Sequence, residues 1–194
     1  MADGKVRPVL VGAVLVGGTS SRMGSDKATL DVGGAPLGRR SVDALTGAGI
    51  DEVMLIGASE SQASVLAGRP VDDLWPGEGP VGGVLTALHA AFLAGARHVL
   101  CLACDLPAVT AVALGPLVAA IEPAQAVLAT VAGRPAFPNG VWPVAVLPAL
   151  EDRFGDGASS FAELLDGIDV IEVEGGEAFA DADEPGDLAP FQVG

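Results

Sequence analysis

The run Val9-Leu10-Val11-Gly12-Ala13-Val14-Leu15-Val16, followed at once by Gly17-Gly18-Thr19-Ser20-Ser21-Arg22-Met23-Gly24-Ser25-Asp26-Lys27, decides the fold class. Eight residues with no charge and no alternating polar position read as a strand buried on both faces, as in a parallel sheet. The glycine- and serine-rich segment after it reads as a strand-to-helix turn. In open α/β sheets, ligands gather beyond the carboxyl ends of the strands, so the segment after each strand matters most.

Working outward, the pattern repeats. Residues 36–49 suit a helix and 53–56 a second strand; 80–96 has helix length, and 98–103 is again a short apolar run. A helix over 109–121 precedes strands over 126–131 and 141–146, then helices over 147–154 and 161–165 and a last strand over 170–173. Strands separated by helix-length segments predict a single three-layer α/β domain over residues 1–194, its mostly parallel central sheet covered on both faces.

Composition narrows the function. The chain of 194 residues carries 25 acidic and 10 basic side chains, a net charge of −15, which disfavours nucleic acid and anionic membrane as partners. The imbalance is local: residues 151–194 hold thirteen acids and only Arg153, whereas residues 22–40 hold Arg22, Lys27, Arg39 and Arg40 against two carboxylates. The uncharged stretch of residues 106–121 is 16 residues long and broken by Pro107, Gly115 and Pro116. A membrane-spanning helix needs about 20 apolar residues. The early basic residues Lys5 and Arg7 before an apolar run lack the cleavage pattern of an export signal. With only Cys101 and Cys104, no disulfide framework is possible, and the expectation is a cytoplasmic protein.

Three chemically suggestive segments fall at one end of the expected sheet. The 17–27 loop has small residues where backbone amides can approach phosphates, plus Arg22 and Lys27. It is neither a Walker A loop nor a Gly-x-Gly-x-x-Gly turn, and its bland alternative is a flexible connection. Asp105, in Cys104-Asp105-Leu106-Pro107, ends an apolar run; it is either a turn or helix-cap aspartate or a ligand for Mg²⁺, which takes one or two protein carboxylates. Asp183 or Asp181 could supply the second carboxylate, or belong to a solvated acidic loop. The Cys-x-x-Cys spacing lies on a strand, where residues three apart face opposite sides, so a redox or zinc site is not expected. His89 and His98 have no partner visible in the sequence, and Trp75 and Trp142 read as packing residues.

The 15–28 segment, Leu15-Val16-Gly17-Gly18-Thr19-Ser20-Ser21-Arg22-Met23-Gly24-Ser25-Asp26-Lys27-Ala28, resembles the signature of the molybdenum cofactor guanylyltransferase family. Gly34-Ala35-Pro36-Leu37, Asp73 with Gly79-Pro80-Val81-Gly82-Gly83, Cys104-Asp105-Leu106-Pro107, Asn139-Gly140-Val141-Trp142 and Asp183-Glu184-Pro185-Gly186-Asp187-Leu188 match in family order. The resemblance implies a Rossmann-like fold of the nucleotide-diphospho-sugar transferase type and Mg²⁺-dependent transfer of GMP from GTP to molybdopterin or its molybdenum form. It implies that Leu15, Val16, Gly17 and Gly18 surround the guanine and ribose, that Arg22 and Lys27 meet the triphosphate, that Asp73 contacts the nucleoside and that Asp105 binds Mg²⁺. It also admits a molybdoenzyme maturation chaperone as partner. The chain departs from the family pattern at Glu184 and Gly186, at Ile56-Gly57-Ala58, and at Ala158, where a basic residue is common. A related cytidylyltransferase, a phospholactate guanylyltransferase and a non-catalytic nucleotide-binding module stay open as alternatives.

Overall fold

In the computed structural model, which describes residues 10–17 and 26–192, seven strands form one sheet in the order β3-β2-β1-β4-β6-β5-β7. The strands are β1 Leu10–Leu15, β2 Val53–Ile56, β3 Arg69–Val71, β4 His98–Ala103, β5 Ala126–Val131, β6 Arg134–Pro143 and β7 Val170–Glu174. Only β6 runs antiparallel to its neighbours. The helices are α1 Leu37–Gly47, α2 Glu60–Leu66, α3 Gly79–Leu93, α4 Ala111–Ala119, α5 Leu147–Gly155 and α6 Phe161–Leu164.

Alternation along the central strands builds the two cores. Val11, Ala13 and Leu15 of β1 join Val99 and Cys101 of β4 beneath α3, α5 and α6. Val14 of β1 joins Leu100 and Leu102 of β4 beneath α1, α2 and α4. A strand clad on both faces has no polar side to display, which is why β1 and β4 read as unbroken apolar runs. Cys101 and Cys104 fall into opposite cores as free thiols. Among the described residues no helix is long and apolar enough to cross a membrane.

Three elements differ from expectation. The strand expected over 141–146 is the end of β6, which starts at Arg134; residues Val144–Val146 form a 3-10 turn. Pro135 and Pro138 hide the first half of β6, since proline within a run normally demotes a strand. The hairpin joining β5 to β6 turns on Ala132 and Gly133, both at positive φ (51° and 71°), the geometry of the tight turns that match strand twist. The other two are α2 and β3, where no element was expected. A capping box, Ser59 with Gln62, starts α2, and β3 has only three residues with a proline at its centre.

The order of strands fixes the site. From β1 the chain steps outward through β2 and β3, then crosses back to place β4 on the other side of β1. Loops leaving β1 and β4 therefore diverge, and the crevice between them is where such sheets bind ligands.

Candidate active site at the carboxyl edge of β1 and β4

The crevice is a cavity of about 260 Å³. Leu15, Val16 and Gly17 line it from β1, Lys27 from the following turn, Ala103, Cys104 and Asp105 from β4, and Phe137, Pro138 and Asn139 from β6. Pro80, Ala136, Phe179 and Asp181 complete the wall. Gly18 and Arg22 lie outside the described residues.

Local sequence explains how Lys27 is held. Asp26 caps the 3-10 turn Lys27–Thr29, its carboxylate accepting from the Ala28 N–H (3.1 Å) and the Thr29 hydroxyl (3.0 Å). The Gln62 amide donates to the same carboxylate at 2.6 Å, tying the turn to α2. From this base Lys27 Nζ donates to Asp105 Oδ2 at 3.1 Å and Asp183 Oδ1 at 3.2 Å. The Lys27 and Asp105 side chains are 13% and 19% exposed and Asp183 is 70% exposed, so the first pair is sheltered and the third partner is a solvent-side arm. Burial alone would lower the Lys27 pKa, but its hydrogen bonds and the charges of Asp105 and Asp183 outweigh this and raise it.

The carboxylates arrive from far apart in the chain. Ala182 N–H donates to the Asp105 carbonyl at 3.0 Å, docking the 181–183 segment beside the β4 loop. Asp187 Oδ2 accepts from the Asp183 and Glu184 amides (3.0 and 2.9 Å) and fixes the approach of Asp183. Burial, then the neighbouring Asp183, raises the pKa of Asp181. The Cys104 thiol is pushed up to about 12 by burial, with Asp105 and Asp26 acting in the same direction, so it stays protonated and is no nucleophile at neutral pH.

Asp73 does not line the cavity. Its Oδ1 accepts from the Trp75 N–H (3.1 Å) and the Thr86 hydroxyl (2.9 Å). It flanks the close approach of Gly17 and Gly57, where a Cβ on Gly57 would stand 2.8 Å from Gly17 Cα and 3.7 Å from Asp73 Cβ. Gly57 also has a φ of +74°, so this seam accepts no side chain without strain. His89 does have a partner, contrary to expectation: its Nε2 meets the Glu151 carboxylate, 62 residues away in sequence. Trp142 is fully buried and donates to the Pro138 carbonyl at 3.0 Å, a packing role as expected.

Among the described residues no group of three or more His, Cys, Asp or Glu side chains could hold a metal ion. Mg²⁺ needs less from the protein, one or two carboxylates with water and phosphate oxygens completing its octahedron. Asp105 and Asp183, hard oxygen donors within hydrogen-bond reach of one ammonium, fit that requirement.

A family model described as a MobA-like NTP transferase domain matches residues 12–168. The chain belongs to the MobA-like NTP transferase family. A probable molybdenum cofactor guanylyltransferase of Opitutus terrae is 38% identical over 156 residues, covering 80% of this chain and 77% of its own length. Another from Mycobacterium avium is 30% identical over 167 residues, covering 84% of each. Among solved structures, the molybdopterin-guanine dinucleotide biosynthesis protein A of Archaeoglobus fulgidus superposes with a TM-score of 0.71 at 20% identity, covering 93% of this chain and 96% of that one. The 2-C-methyl-D-erythritol 4-phosphate cytidylyltransferase of Thermus thermophilus gives 0.68 at 21% identity, covering 94% and 97%. This MobA-like chain therefore shares one α/β fold with transferases of differently named substrates, and its membership makes it a nucleotidyltransferase.

Sequence reasoning singled out Lys27, Asp105, Asp181 and the 15–17 segment, which line one crevice, and Asp183, which reaches it through Lys27; Asp73 stands outside its wall. It missed the Phe137-Pro138 wall and Phe179, which carry no charge or motif that could have flagged them.

Proposed function

We propose that the protein, acting as one domain over residues 1–194, transfers the GMP moiety of GTP to the terminal phosphate of molybdopterin or its molybdenum form and releases pyrophosphate. The observation that carries this reading is the Lys27 ammonium between Asp105 and Asp183 at the carboxyl edge of β4, beside the Leu15–Gly17 seam. The names of the relatives supply the substrates.

An acceptor phosphate oxygen attacks the α-phosphorus of GTP, a new P–O bond forms, and the bond to the β-phosphate breaks with its electron pair leaving on pyrophosphate. Phosphate monoesters lose their second proton near pH 6, so the nucleophile is already ionised and no general base is needed. Leu15, Val16, Gly17 and Gly18 surround the base and ribose, and Asp73, which flanks the Gly17–Gly57 seam, contacts the nucleoside. Lys27 and Arg22 hold the triphosphate and stabilise the charge that builds on the leaving group. Mg²⁺ on Asp105 and Asp183 would neutralise phosphate charge. A molybdoenzyme maturation chaperone then takes the product.

The test is to supply GTP or CTP with Mg²⁺ and molybdopterin and to measure pyrophosphate and the dinucleotide formed. Product from GTP alone supports the reading. Product from CTP alone assigns a cytidylyltransferase; GTP binding without turnover on any acceptor assigns a nucleotide-binding module.

A further inference from the structure

The sheet opens at its carboxyl edge on both sides of β4. On one side, β1 leaves: Val16 and Gly17 both turn their N–H groups onto the Ile56 carbonyl of β2, at 2.9 and 3.0 Å, just past the Leu15–Ala103 pairing. On the other side, β6 leaves. Its ladder with β4 ends at Cys101 opposite Gly140. Its register against β5 then jumps from Leu128 opposite Gly140 to Thr130 opposite Pro135, so residues 136–139 bulge out of the ladder and become a wall of the cavity.

Ala103, the last residue of β4 and two before Asp105, thus stands where both neighbouring strands depart. Side chains take over its backbone groups. The Asn139 carbonyl oxygen accepts from the Ala103 N–H at 2.8 Å, and the Asn139 amide donates to the Ala136 carbonyl at 2.8 Å, bridging its own bulge. The Ser41 hydroxyl of α1 donates to the Ala103 carbonyl at 2.8 Å. Ser41 is 0% and Asn139 2% exposed, so neither can exchange its partner for water. A buried, fully used polar side chain is costly to lose, because its partner is left unsatisfied.

We infer that Ser41 and Asn139 are positioning residues for the transfer reaction, acting through the two backbone groups of Ala103 to set the Asp105 carboxylate. This inference rests on the proposed reaction. Neither side chain is asked to touch the reacting phosphorus. Their work is to let the sheet split open, which makes the cavity, while β4 keeps one fixed end. An error of about 1 Å at a reacting group can cost roughly 100-fold in rate, so a freed strand end should show in turnover before it shows in nucleotide binding.

The experiment compares the full-length wild type with Ser41→Ala, Asn139→Ala and Val99→Ala. Val99 is buried on the same strand, four residues from Ala103, or about 13 Å. Melting temperature, kcat and KM for GTP, and backbone hydrogen exchange over residues 101–106 are measured on each. Ser41→Ala and Asn139→Ala are expected to lower kcat roughly 10- to 100-fold while KM for GTP stays within about threefold. Both should lose exchange protection selectively over 101–106. Val99→Ala should lower the melting temperature with kcat and that protection unchanged. Wild-type kcat in both variants, or an equal kcat loss in Val99→Ala, overturns the inference. If Asn139→Ala does not fold, Ser41→Ala decides alone. If the wild type makes no product from GTP, the guanylyl-transfer reading fails. The exchange data, which need no nucleotide, then decide: selective loss over 101–106 supports positioning, and unchanged protection overturns it.

Discussion

The two ends of β4 carry two cavities, and the larger is not the one with converging charge. At the start of the strand, Ala96, Arg97, His98, Ile121, Glu122, Pro123, Val144 and Ala145 enclose about 450 Å³. At its finish the crevice holds about 260 Å³. Yet at the starting end His98 Nε2, on the first residue of β4, meets only the Glu122 carbonyl of the loop between α4 and β5. At the finishing end a lysine from residue 27 and carboxylates from residues 105 and 183 meet at one point. Parallel strands deliver all their carboxyl ends to the same edge, so groups remote in sequence are gathered there. Volume says where something fits; convergence says where something happens.

The contrast is open to direct attack. Asp105→Ala should lower transfer by roughly 1,000-fold, since it removes the sheltered carboxylate of the cluster, while the melting temperature changes by only a few degrees. A pyrophosphate assay beside thermal denaturation measures both, and retained activity at saturating Mg²⁺ would remove Asp105 from the metal site.

Lys27→Met should cost about 100-fold in turnover. It should also change the pH dependence of stability. The Lys27 pKa is raised in the folded chain, so its proton stabilises the fold below about pH 10.5 and that contribution is lost as pH climbs through the folded value. The wild-type advantage over Lys27→Met in melting temperature should therefore narrow on the alkaline side.

Asp181→Asn is a smaller effect of opposite sign. The pKa of Asp181 is raised in the folded chain, so its charged form works against the fold above its ordinary value of 3.8. The variant should melt slightly higher at pH 7, by about 1 °C for so exposed a group, and the gain should vanish as the pH falls toward 3.8. Least of all, Glu122→Ala at the starting end should leave kcat unchanged and stability within about 0.5 kcal/mol. A loss of transfer there would break the comparison.

Much of the molecule is legible in the order of its residues. β1, β2, β4 and β5 stand out because strands covered on both sides carry few polar positions, and four of the five longer helices, α1, α3, α4 and α5, fill the gaps between strands. Lys27 and Asp105 stand out because each lies in the segment that follows a strand ending at the ligand-binding edge. What escapes is chemically quiet or locally odd. β6 begins with prolines that only a bulge accommodates, and β3 is too short for any period to register. Asn139 makes its contacts across 36 residues of chain to Ala103, a relation that exists only once β6 lies against β4. The Phe137–Phe161 stack, 4.5 Å between ring centres, likewise joins two segments with nothing local to announce it.

The docking of Ala182 on the Asp105 carbonyl bears on how the chain emerges from a ribosome. Every strand has left the exit tunnel once Glu174 is free, nine residues ahead of Asp183. Lys27 cannot yet lie between its two carboxylates, because Asp183 is still to come. The scaffold and the chemistry are therefore completed at different moments. A nascent chain can be structurally whole for a short interval while its catalytic cluster is still missing a member.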